Sequence, residues 1–477
     1  MEKRRSTRNL VLLSVAFLSH LSSYISLITV QSSTNKALGT IALSINYAVM
    51  PLSSLFLAAP LIGRFGARKT VAFGLTPFCL YTAANYYPKP YTLLPSAILT
   101  GLSSGLIWPG AIYYITHLPS FDKGSSERNK KVGMFVGIFY TISNLCVMFG
   151  GICMTVVMKL EEIENIPLHM NESTIRNATT LLPVTGQTCG VHYSFKHTDS
   201  QSNLSPMITR ILFSVFLAFN VIAIILGFRL DEQHLEQTSA KLFSENNPSM
   251  DADQVPLKTD HQNWLTNDLC SNVKGAFNLL KTDRLALMMI LFSLHYGMIQ
   301  FLVAGLFNAA WITCFLSIRY VSYTTIAYGF CLSLGCYLFG KATYCISNWK
   351  MFSLVCLFEF TLLLILLLWN PRKDASEAWG FFLISMGFAI CHSSQAGQLA
   401  AVYNRFFTDK KSSSALLFVW DPLGSALSFV LTSLTPSFVT VITTMFVCLF
   451  GTGLYLFAEL MYHRRRKSSC NIGINGQ

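Results

Sequence analysis

Three carboxylates lie inside long apolar stretches of this sequence, where an ionised side chain is costly. Glu359, Asp421 and Glu459 stand in runs that otherwise hold mainly apolar and small polar residues. At such depth in a bilayer, charged groups usually face the interior of a helix bundle or an aqueous cavity, and they relay protons or cations in pumps and transporters. Each carboxylate is therefore a candidate coupling site.

Each of these carboxylates also has a structural interpretation. Glu359 could be a protonated carboxyl that packs between helices. Asp421 precedes Pro422, and because proline kinks a helix and frees a backbone carbonyl, the acid could stabilise the kink instead of coupling or gating. Glu459 lies near the inner end of its run beside Arg464, which favours a side chain that snorkels to the membrane surface. We retain Asp421 and Glu359 as the coupling candidates.

A second group of polar and aromatic side chains recurs in the same kind of stretch. Together they could line a cavity that binds a small molecule or an ion. Each alone serves more often as a hydrogen bond between helices. The group consists of His20, Gln31, Asn46, Trp108, His295, Gln300, Asn308, His392, Gln395 and Gln398.

The composition identifies the elements that must position these groups. The 477 residues are 52% hydrophobic and 12% charged, about half the charged fraction of a soluble domain. The predicted fold is therefore an all-α membrane protein, because lipid cannot satisfy the open edges of a sheet. Most apolar stretches reach the ~20 residues of a spanning helix. The twelve predicted spans cover residues 10–30, 41–62, 70–87, 92–116, 132–158, 208–228, 285–311, 322–340, 351–369, 378–398, 414–433 and 438–461.

The basic residues predict which side each loop faces. With a cytoplasmic N-terminus, the inner segments carry 26 of the 35 lysines and arginines and the outer loops carry 8. This bias follows the positive-inside rule and places both termini in the cytoplasm. The longest outer loop, 159–207, contains the N-glycosylation sequons of Asn171, Asn177 and Asn203. We expect a multi-pass protein of the plasma membrane or an endomembrane.

The 13 cysteines show no CxxC pair and no His/Cys cluster along the chain, so we expect no metal site and no cofactor. Most lie in the predicted spans. Cys189 lies in the long outer loop and Cys314 at the outer end of span seven, where the compartment is oxidising. We hypothesise a Cys189–Cys314 disulfide; the alternative is two free thiols.

The chain divides into two halves of six spans. Residues 1–9 form a cytoplasmic N-terminus, 10–228 the first bundle, 285–461 the second bundle and 462–477 a basic tail. The linker 229–284 is polar at first, and apolar residues then recur at helical spacing, which predicts an amphipathic helix near 264–282. Two similar halves joined by a long inner loop are typical of a transporter-type bundle with a midplane cavity.

Other classes of function fit poorly. The stretch Gly101-Leu-Ser103-Ser-Gly105 matches the G-x-S-x-G nucleophile pattern, but that chemistry needs a strand-to-helix turn. Inside a hydrophobic helix, the same small residues favour close helix packing. We therefore predict no enzyme. The basic residues fall in short clusters between spans, which indicates membrane topology and no nucleic-acid surface.

Several stretches resemble the uncoordinated-93 (UNC-93) family, a branch of the major facilitator superfamily with a twelve-helix fold. The resemblance covers nearly the whole chain. It rests on Gln31-Ser32-Ser33 with Leu38-Gly39 and Ala42-Leu43-Ser44, on Trp108, on Cys189-Gly190, on Trp420-Asp421 with Leu423-Gly424, and on the segments NWLTNDLCSNVKGAFNLLKTDRL and LFGKATYCISNWK.

The loop between spans two and three departs from the pattern of the superfamily, which is similar to G-x-x-x-D-R-x-G-R-R/K. Arg64, Gly66, Arg68 and Lys69 match its basic residues and glycine, but Gly63 stands where the acid belongs. That acid pairs with neighbouring cations and holds one conformation. A surface pair contributes only ~0–1 kcal/mol, yet an equilibrium of a few kcal/mol between two conformations is sensitive to it. The departure weakens the case for ordinary alternating access.

The resemblance implies an accessory role in which the chain regulates another membrane protein. Some members resemble regulatory subunits of a potassium channel, and others escort receptors; this chain looks nearer the first type. The expected partners are the lipid bilayer and a channel or receptor. The alternative is a secondary transporter of a small solute, coupled to protons or cations through Asp421 or Glu359.

Overall fold

The computed structural model describes residues 2–34, 36–118, 125–164, 189–193, 206–231, 278–343, 345–372, 374–407 and 410–474. The described parts are helical or irregular and contain no strand. The first half contains α1 (Glu2–Thr34), α2 (Lys36–Ser53), α3 (Ala59–Gly74), α4 (Pro77–Ala84), α5 (Pro90–His117), α6 (Ser125–Glu164) and α7 (Pro206–Phe228). The second half contains α8 (Arg284–Phe301), α9 (Ile318–Ala342), α10 (Asn348–Leu368), α11 (Ala378–Phe406), α12 (Lys410–Leu434) and α13 (Ser437–Ile474).

Short π-helical segments continue two of the spans. Ser54–Ala58 joins α2 to α3, and Leu302–Thr313 extends α8. Two 3₁₀ turns, Gly190–His192 and Ala375–Glu377, lie outside the helices. Each of the two π-helical segments shifts the helical register, which changes the direction of the side chains beyond it.

Within the described residues, nine helical stretches are long and apolar enough to cross a membrane. One of them, Ile41–Ala84, has 44 residues, about twice the length that one crossing needs. It contains Gly66, whose φ of 81° breaks the helix between spans two and three. The shorter apolar stretch Leu416–Thr432 lies in span eleven. Helix α11, which contains span ten, has 29 residues, but its many Gly, Ser and Gln residues lower its hydropathy, and it is not among the nine stretches.

The contacts between helices repeat after a shift of six spans. In the first half, span one packs against spans five and six, and span two packs against span four; in the second half, the pairs are seven with eleven and twelve, and eight with ten. The contacts between the halves repeat likewise, because span five packs on spans eight and ten while span eleven packs on spans two and four. The predicted architecture of two pseudo-symmetric helical bundles is thus confirmed.

The glycines of the G-x-S-x-G stretch lie where spans two and four cross. A Cβ atom on Gly101 would lie 2.8 Å from the carbonyl oxygen of Asn46, and one on Gly105 would lie 2.5 Å from that of Met50. Only a residue without a side chain allows the two backbones to approach this closely. In this structure, the stretch serves helix packing.

Candidate functional site

Asp421 lies between the two halves, on span eleven, and is partly buried. Its Oδ1 atom accepts a hydrogen bond of 3.4 Å from Nε2 of Gln300 on span seven. Pro422 follows within the helix. Asp421 and Gln300, both candidates from the sequence, therefore contact each other, and the hydrogen-bond partner of the acid is a neutral amide.

His392 on span ten stands between two tyrosines. Its Nδ1 atom lies 2.6 Å from the hydroxyl of Tyr328, and its Nε2 atom lies 3.3 Å from the hydroxyl of Tyr296. Because Tyr296 and Gln300 are four residues apart, they share one face of span seven. The Tyr–His–Tyr chain and Asp421 thus contact neighbouring parts of the same face of span seven.

Trp108 of span four contacts the opposite half. Its ring stacks on Phe418 of span eleven with a centroid distance of 6.0 Å, and on Tyr140 of span five at 6.1 Å. Phe17 of span one meets the Trp108 ring edge-on at 5.2 Å. Trp108 therefore belongs to an aromatic contact that joins the two halves.

His295 turns away from this interface into the interior of the second half. Its Nε2 atom lies 2.8 Å from Oε1 of Glu359 on span nine, and both side chains are almost completely buried, at 1% and 0% exposure. Gln395 of span ten donates a hydrogen bond of 3.1 Å from Nε2 to Oε2 of Glu359. We call His295, Glu359, Gln395 and Cys448 the C-half histidine cluster.

His20 has a corresponding place in the first half. Its Nδ1 atom lies 3.1 Å from Oδ1 of Asn220 on span six. The amide of Asn220 donates to Oγ of Ser23 at 2.8 Å and to Oγ1 of Thr82 on span three at 3.1 Å. We call these four residues the N-half histidine cluster. It contains no carboxylate.

The loop between spans two and three is organised by Gly66 and Arg68. The carbonyl of Gly66 accepts a hydrogen bond of 2.8 Å from Oγ1 of Thr70. Arg68 reaches the carbonyl of Phe228 at the end of span six, at 2.7 Å. Gly63, at the position of the missing acid, is exposed and stands beside Arg64. Arg68 therefore links the loop after span two to the end of span six, within the first half.

Acids hold cations at the predicted inner end of each half, and one of these acids, Glu459, was already singled out by the sequence. In the first half, Asp231 pairs with Arg5 and Arg8, and its carbonyl accepts a hydrogen bond of 3.0 Å from the hydroxyl of Tyr114. In the second half, Glu459 pairs with Arg405 of span ten.

A further pair in the second half joins Arg465, at the end of span twelve, to Asp283, at the start of span seven, at 2.9 Å. Asp283 also caps α8, since its Oδ1 atom accepts a hydrogen bond of 3.1 Å from the backbone N–H of Leu285. Each of the ion pairs named here lies within one half.

A short segment of the loop between spans five and six is held by the second half. We call residues 189–193 the strap. Cys189 forms a disulfide with Cys314, with Cα atoms 5.6 Å apart. The carbonyl of Tyr193 accepts hydrogen bonds from the backbone N–H and from Oγ of Ser437, each of 3.0 Å. A segment of the first half is therefore fixed covalently to the second.

Some of the predicted sites fall outside the described residues. This applies to the sequons of Asn171, Asn177 and Asn203 and to most of the amphipathic helix near 264–282. It applies also to the side chain of Gln31, whose backbone lies in α1.

The family model described as "Ion channel regulatory protein UNC-93" matches residues 31–370 of the chain. This match covers more than half of the 477 residues. The chain belongs to the UNC-93 family. The resemblance inferred from the sequence is thereby confirmed.

Named relatives of this UNC-93 family member share about a quarter of its residues. "Protein unc-93 homolog A" of Homo sapiens is 25% identical over 89% of this chain and 87% of its own length, and the Mus musculus protein of that name is 26% identical over 93% and 90%. A Caenorhabditis elegans relative, "Putative potassium channel regulatory protein unc-93", is 21% identical over 97% of this chain and 62% of its own length.

Solved structures show the fold of this UNC-93 family member. The E. coli fucose:proton symporter FucP matches with a TM-score of 0.60 and 12% identity, over 95% of this chain and 99% of that chain. The proton:xylose symporter XylE matches with a TM-score of 0.60 and 11% identity, over 96% of each. At this identity the likeness establishes the major facilitator fold and nothing about substrate.

Proposed function

We propose that this chain is a membrane accessory protein that modulates a potassium channel or the traffic of another membrane partner. The observation that carries the proposal is the match of residues 31–370 to the family of ion channel regulatory proteins. The name of the Caenorhabditis elegans relative points to the same class of partner. Nothing in this role requires catalysis.

The charges at the predicted inner end support an accessory role. In a transporter with alternating access, charge contacts at the hinge loops help to hold one conformation until a substrate shifts the balance. Here Gly63 replaces the hinge acid, and Arg68, Asp231 and Glu459 bond within their own halves. Such contacts stabilise each bundle.

The proposal includes a location and a topology. The chain would reside in the plasma membrane or an endomembrane, with both termini cytoplasmic and loop 159–207 glycosylated on the opposite side. The distribution of lysines and arginines and the three sequons support this orientation.

A quantitative survey of co-purifying proteins tests the proposal directly. The intact chain is extracted from its native tissue in mild detergent, and the stoichiometry of each bound protein is measured. We expect a potassium channel or another membrane protein in a near-stoichiometric amount, and an altered channel current or surface density when the two are co-expressed. A chain that purifies alone and leaves the current of co-expressed channels unchanged contradicts the proposal.

A second candidate function is proton- or cation-coupled transport, and Asp421 is the observation that favours it. A partly buried acid between the two halves, bonded only weakly to Gln300, is placed where a coupling group would stand. Substrate-dependent thermal stabilisation that disappears in Asp421→Asn but persists in Glu459→Gln would establish this function over the first.

A further inference from the structure

The C-half histidine cluster brings three metal-binding atom types together from three spans. The ligand atoms of His295, Glu359 and Cys448 all lie within 4.8 Å of one another. None of the three residues is more than 1% exposed. An imidazole nitrogen, a carboxylate oxygen and a thiolate sulfur are the ligands that Zn²⁺ uses in proteins.

Cys356 lies beside this group but does not belong to it. It precedes Glu359 by three residues and so shares a face of span nine. Its sulfur lies 3.6 Å from the sulfur of Cys448. Cys356 is therefore a neighbouring thiol of the Cys448 ligand.

The spacing of the imidazole and the carboxylate requires a small adjustment. Nitrogen and oxygen ligands at ~2.0 Å from a tetrahedral ion are about 3.3 Å apart. Nε2 of His295 and Oε1 of Glu359 are now 2.8 Å apart, so an ion between them would separate these atoms by about half an ångström.

Charge balance favours a divalent ion in this position. The Glu359 carboxylate and the Cys448 thiolate together carry two negative charges, which neutralise a dication, while the His295 imidazole and the Cys356 thiol outside the ligand set remain neutral. The complete site then has no net charge, which is the least costly state for a group buried in a medium of low dielectric constant.

Gln395 has the place of a residue that orients a metal ligand. Its amide donates to Oε2 of Glu359, which leaves Oε1 directed at His295. Carboxylates that bind metals are commonly held by such hydrogen bonds from a second layer of residues. Gln395 therefore fixes which carboxylate oxygen faces the ion.

The first half shows that helix cross-linking alone does not require these residue types. The N-half histidine cluster joins the same three spans, shifted by six, through His20, Thr82 and Asn220. All its partners are neutral hydrogen-bonding groups. Of the two clusters, the one in the second half alone contains a carboxylate and a thiol, which together with the imidazole form an ionic ligand set.

We propose that His295, Glu359 and Cys448 form a binding site for one zinc ion or a chemically similar dication within the second half. The mixture of sulfur, nitrogen and oxygen donors selects zinc over magnesium and calcium, which take oxygen ligands. The search for a CxxC pair along the sequence missed this site, because its donors are spread over residues 295–448 and meet only in the folded bundle.

The zinc content of the intact chain provides the first test. The full-length protein is produced in zinc-supplemented cells, purified in detergent without chelator and measured by elemental mass spectrometry. We expect about one zinc ion per chain in the wild type and in Cys146→Ser, a buried cysteine of span five that serves as the matched control. Cys448→Ser and Glu359→Gln should contain far less zinc.

Cobalt binding provides a second readout that does not depend on the cellular supply. Added Co²⁺ should give thiolate-to-cobalt charge-transfer absorption and the intense visible bands of a tetrahedral ion, and Zn²⁺ should displace it. Gln395→Ala should weaken this binding by ~10–100-fold, as is typical for a residue that orients a ligand. His20→Gln should leave it unchanged.

Two results would overturn the site. One is a wild-type chain that has neither zinc nor a saturable cobalt spectrum. The other is a Cys448→Ser variant that elutes as the wild type does in size-exclusion chromatography and still binds the ion equally well. If Cys448→Ser does not fold, the cobalt affinity of Gln395→Ala decides the matter. The site does not rest on the proposed channel partner, so either can fail alone.

Discussion

The two histidine clusters occupy corresponding places in the two halves and are built from different chemistry. His20 and His295 each follow a phenylalanine by three residues, in spans one and seven. His20 meets an amide on span six, whereas His295 meets a carboxylate on span nine and lies beside a thiol on span twelve. Both histidines are 1% exposed.

The difference shows two ways in which polar side chains are buried inside the helical bundles. In the first cluster, Asn220 bonds to His20, Ser23 and Thr82, so every member has a neutral partner. In the second cluster, Nδ1 of His295 and Oε1 of Gln395 have no hydrogen-bond partner among the described residues. Buried groups that lack partners are destabilising. We therefore expect the second cluster to respond more strongly to substitution than the first.

Glu359→Ala should have the largest effect. It leaves His295 and the amide of Gln395 buried without their partner, and removal of one member of a buried pair destabilises a protein by ~3–5 kcal/mol. The loss is measured as the shift in thermal unfolding of the full chain in detergent. Glu359→Gln, which keeps the shape and a hydrogen-bonding group, should lose less. A Glu359→Ala variant as stable as the wild type would refute the importance of the pair.

Loss of the strap should have the second-largest effect on stability, because its disulfide joins the two halves covalently. Loss of its disulfide in Cys189→Ser should lower the free energy of unfolding by ~2–4 kcal/mol. Cys314→Ser should have the same effect, and the double variant should add nothing. Additive losses would mean that the two cysteines act separately.

A protease site inserted within residues 194–205 tests the connection itself. After cleavage, the fragment with Cys189 should remain attached to the fragment with Cys314 on a non-reducing gel and separate when reductant is added. Cys189→Ser, cleaved in the same way, should separate under both conditions. Separation of the wild-type fragments without reductant would exclude the disulfide.

Asn220→Ala in the first cluster should have a smaller effect than Glu359→Ala. It leaves neutral groups unsatisfied, and each buried donor or acceptor without a partner costs ~1–3 kcal/mol. Thermal unfolding under identical conditions gives the comparison. If Asn220→Ala destabilises the chain as much as Glu359→Ala does, the charge of the second cluster has no special energetic role.

The sequence predicted the spans better than it predicted the contacts between them. Apolar length sufficed for most spans. Span ten is rich in Gly, Ser and Gln, which lower its hydropathy, and the structure shows why these residues occur there: many of them are buried. Packing in the interior, rather than exposure to lipid, determined the composition of this helix.

The sequence could not assemble the sites from their parts. It singled out His20, His295 and Glu359 as isolated polar groups in apolar runs, but it could not show that His295 meets Glu359 while His20 meets Asn220. These pairings depend on the rotation of each helix about its axis, which a periodic apolar pattern leaves open when nearly every face is apolar. Cys448 was missed because a thiol in a span is indistinguishable from a small apolar residue.

The inner ends of the two halves repeat the comparison with the charges exchanged. In the first half, Arg5 before span one pairs with Asp231 after span six; in the second half, Asp283 before span seven pairs with Arg465 after span twelve. The first and last spans of each half are thus joined by an ion pair of opposite polarity. What the two halves share is the pairing, whichever residue carries the positive charge.

Reversal of one charge should therefore be harmful, and reversal of both should restore stability. Arg465→Asp should lower the free energy of unfolding by at most ~1 kcal/mol, because the pair is partly exposed. Combination with Asp283→Arg should recover part of this loss, although the cap on α8 is given up. High salt should reduce both effects, because exposed pairs are screened. Thermal unfolding at low and high salt measures them.

Arg464→Asp is the matched control, since it changes the net charge of the tail equally at the neighbouring position. Its stability should remain closer to that of the wild type than the stability of Arg465→Asp. Equal losses in the two variants would indicate that the tail acts through its total charge, as the positive-inside rule describes. The ion pair between spans seven and twelve would then lose its structural significance, and with it the symmetry between the inner ends of the two halves.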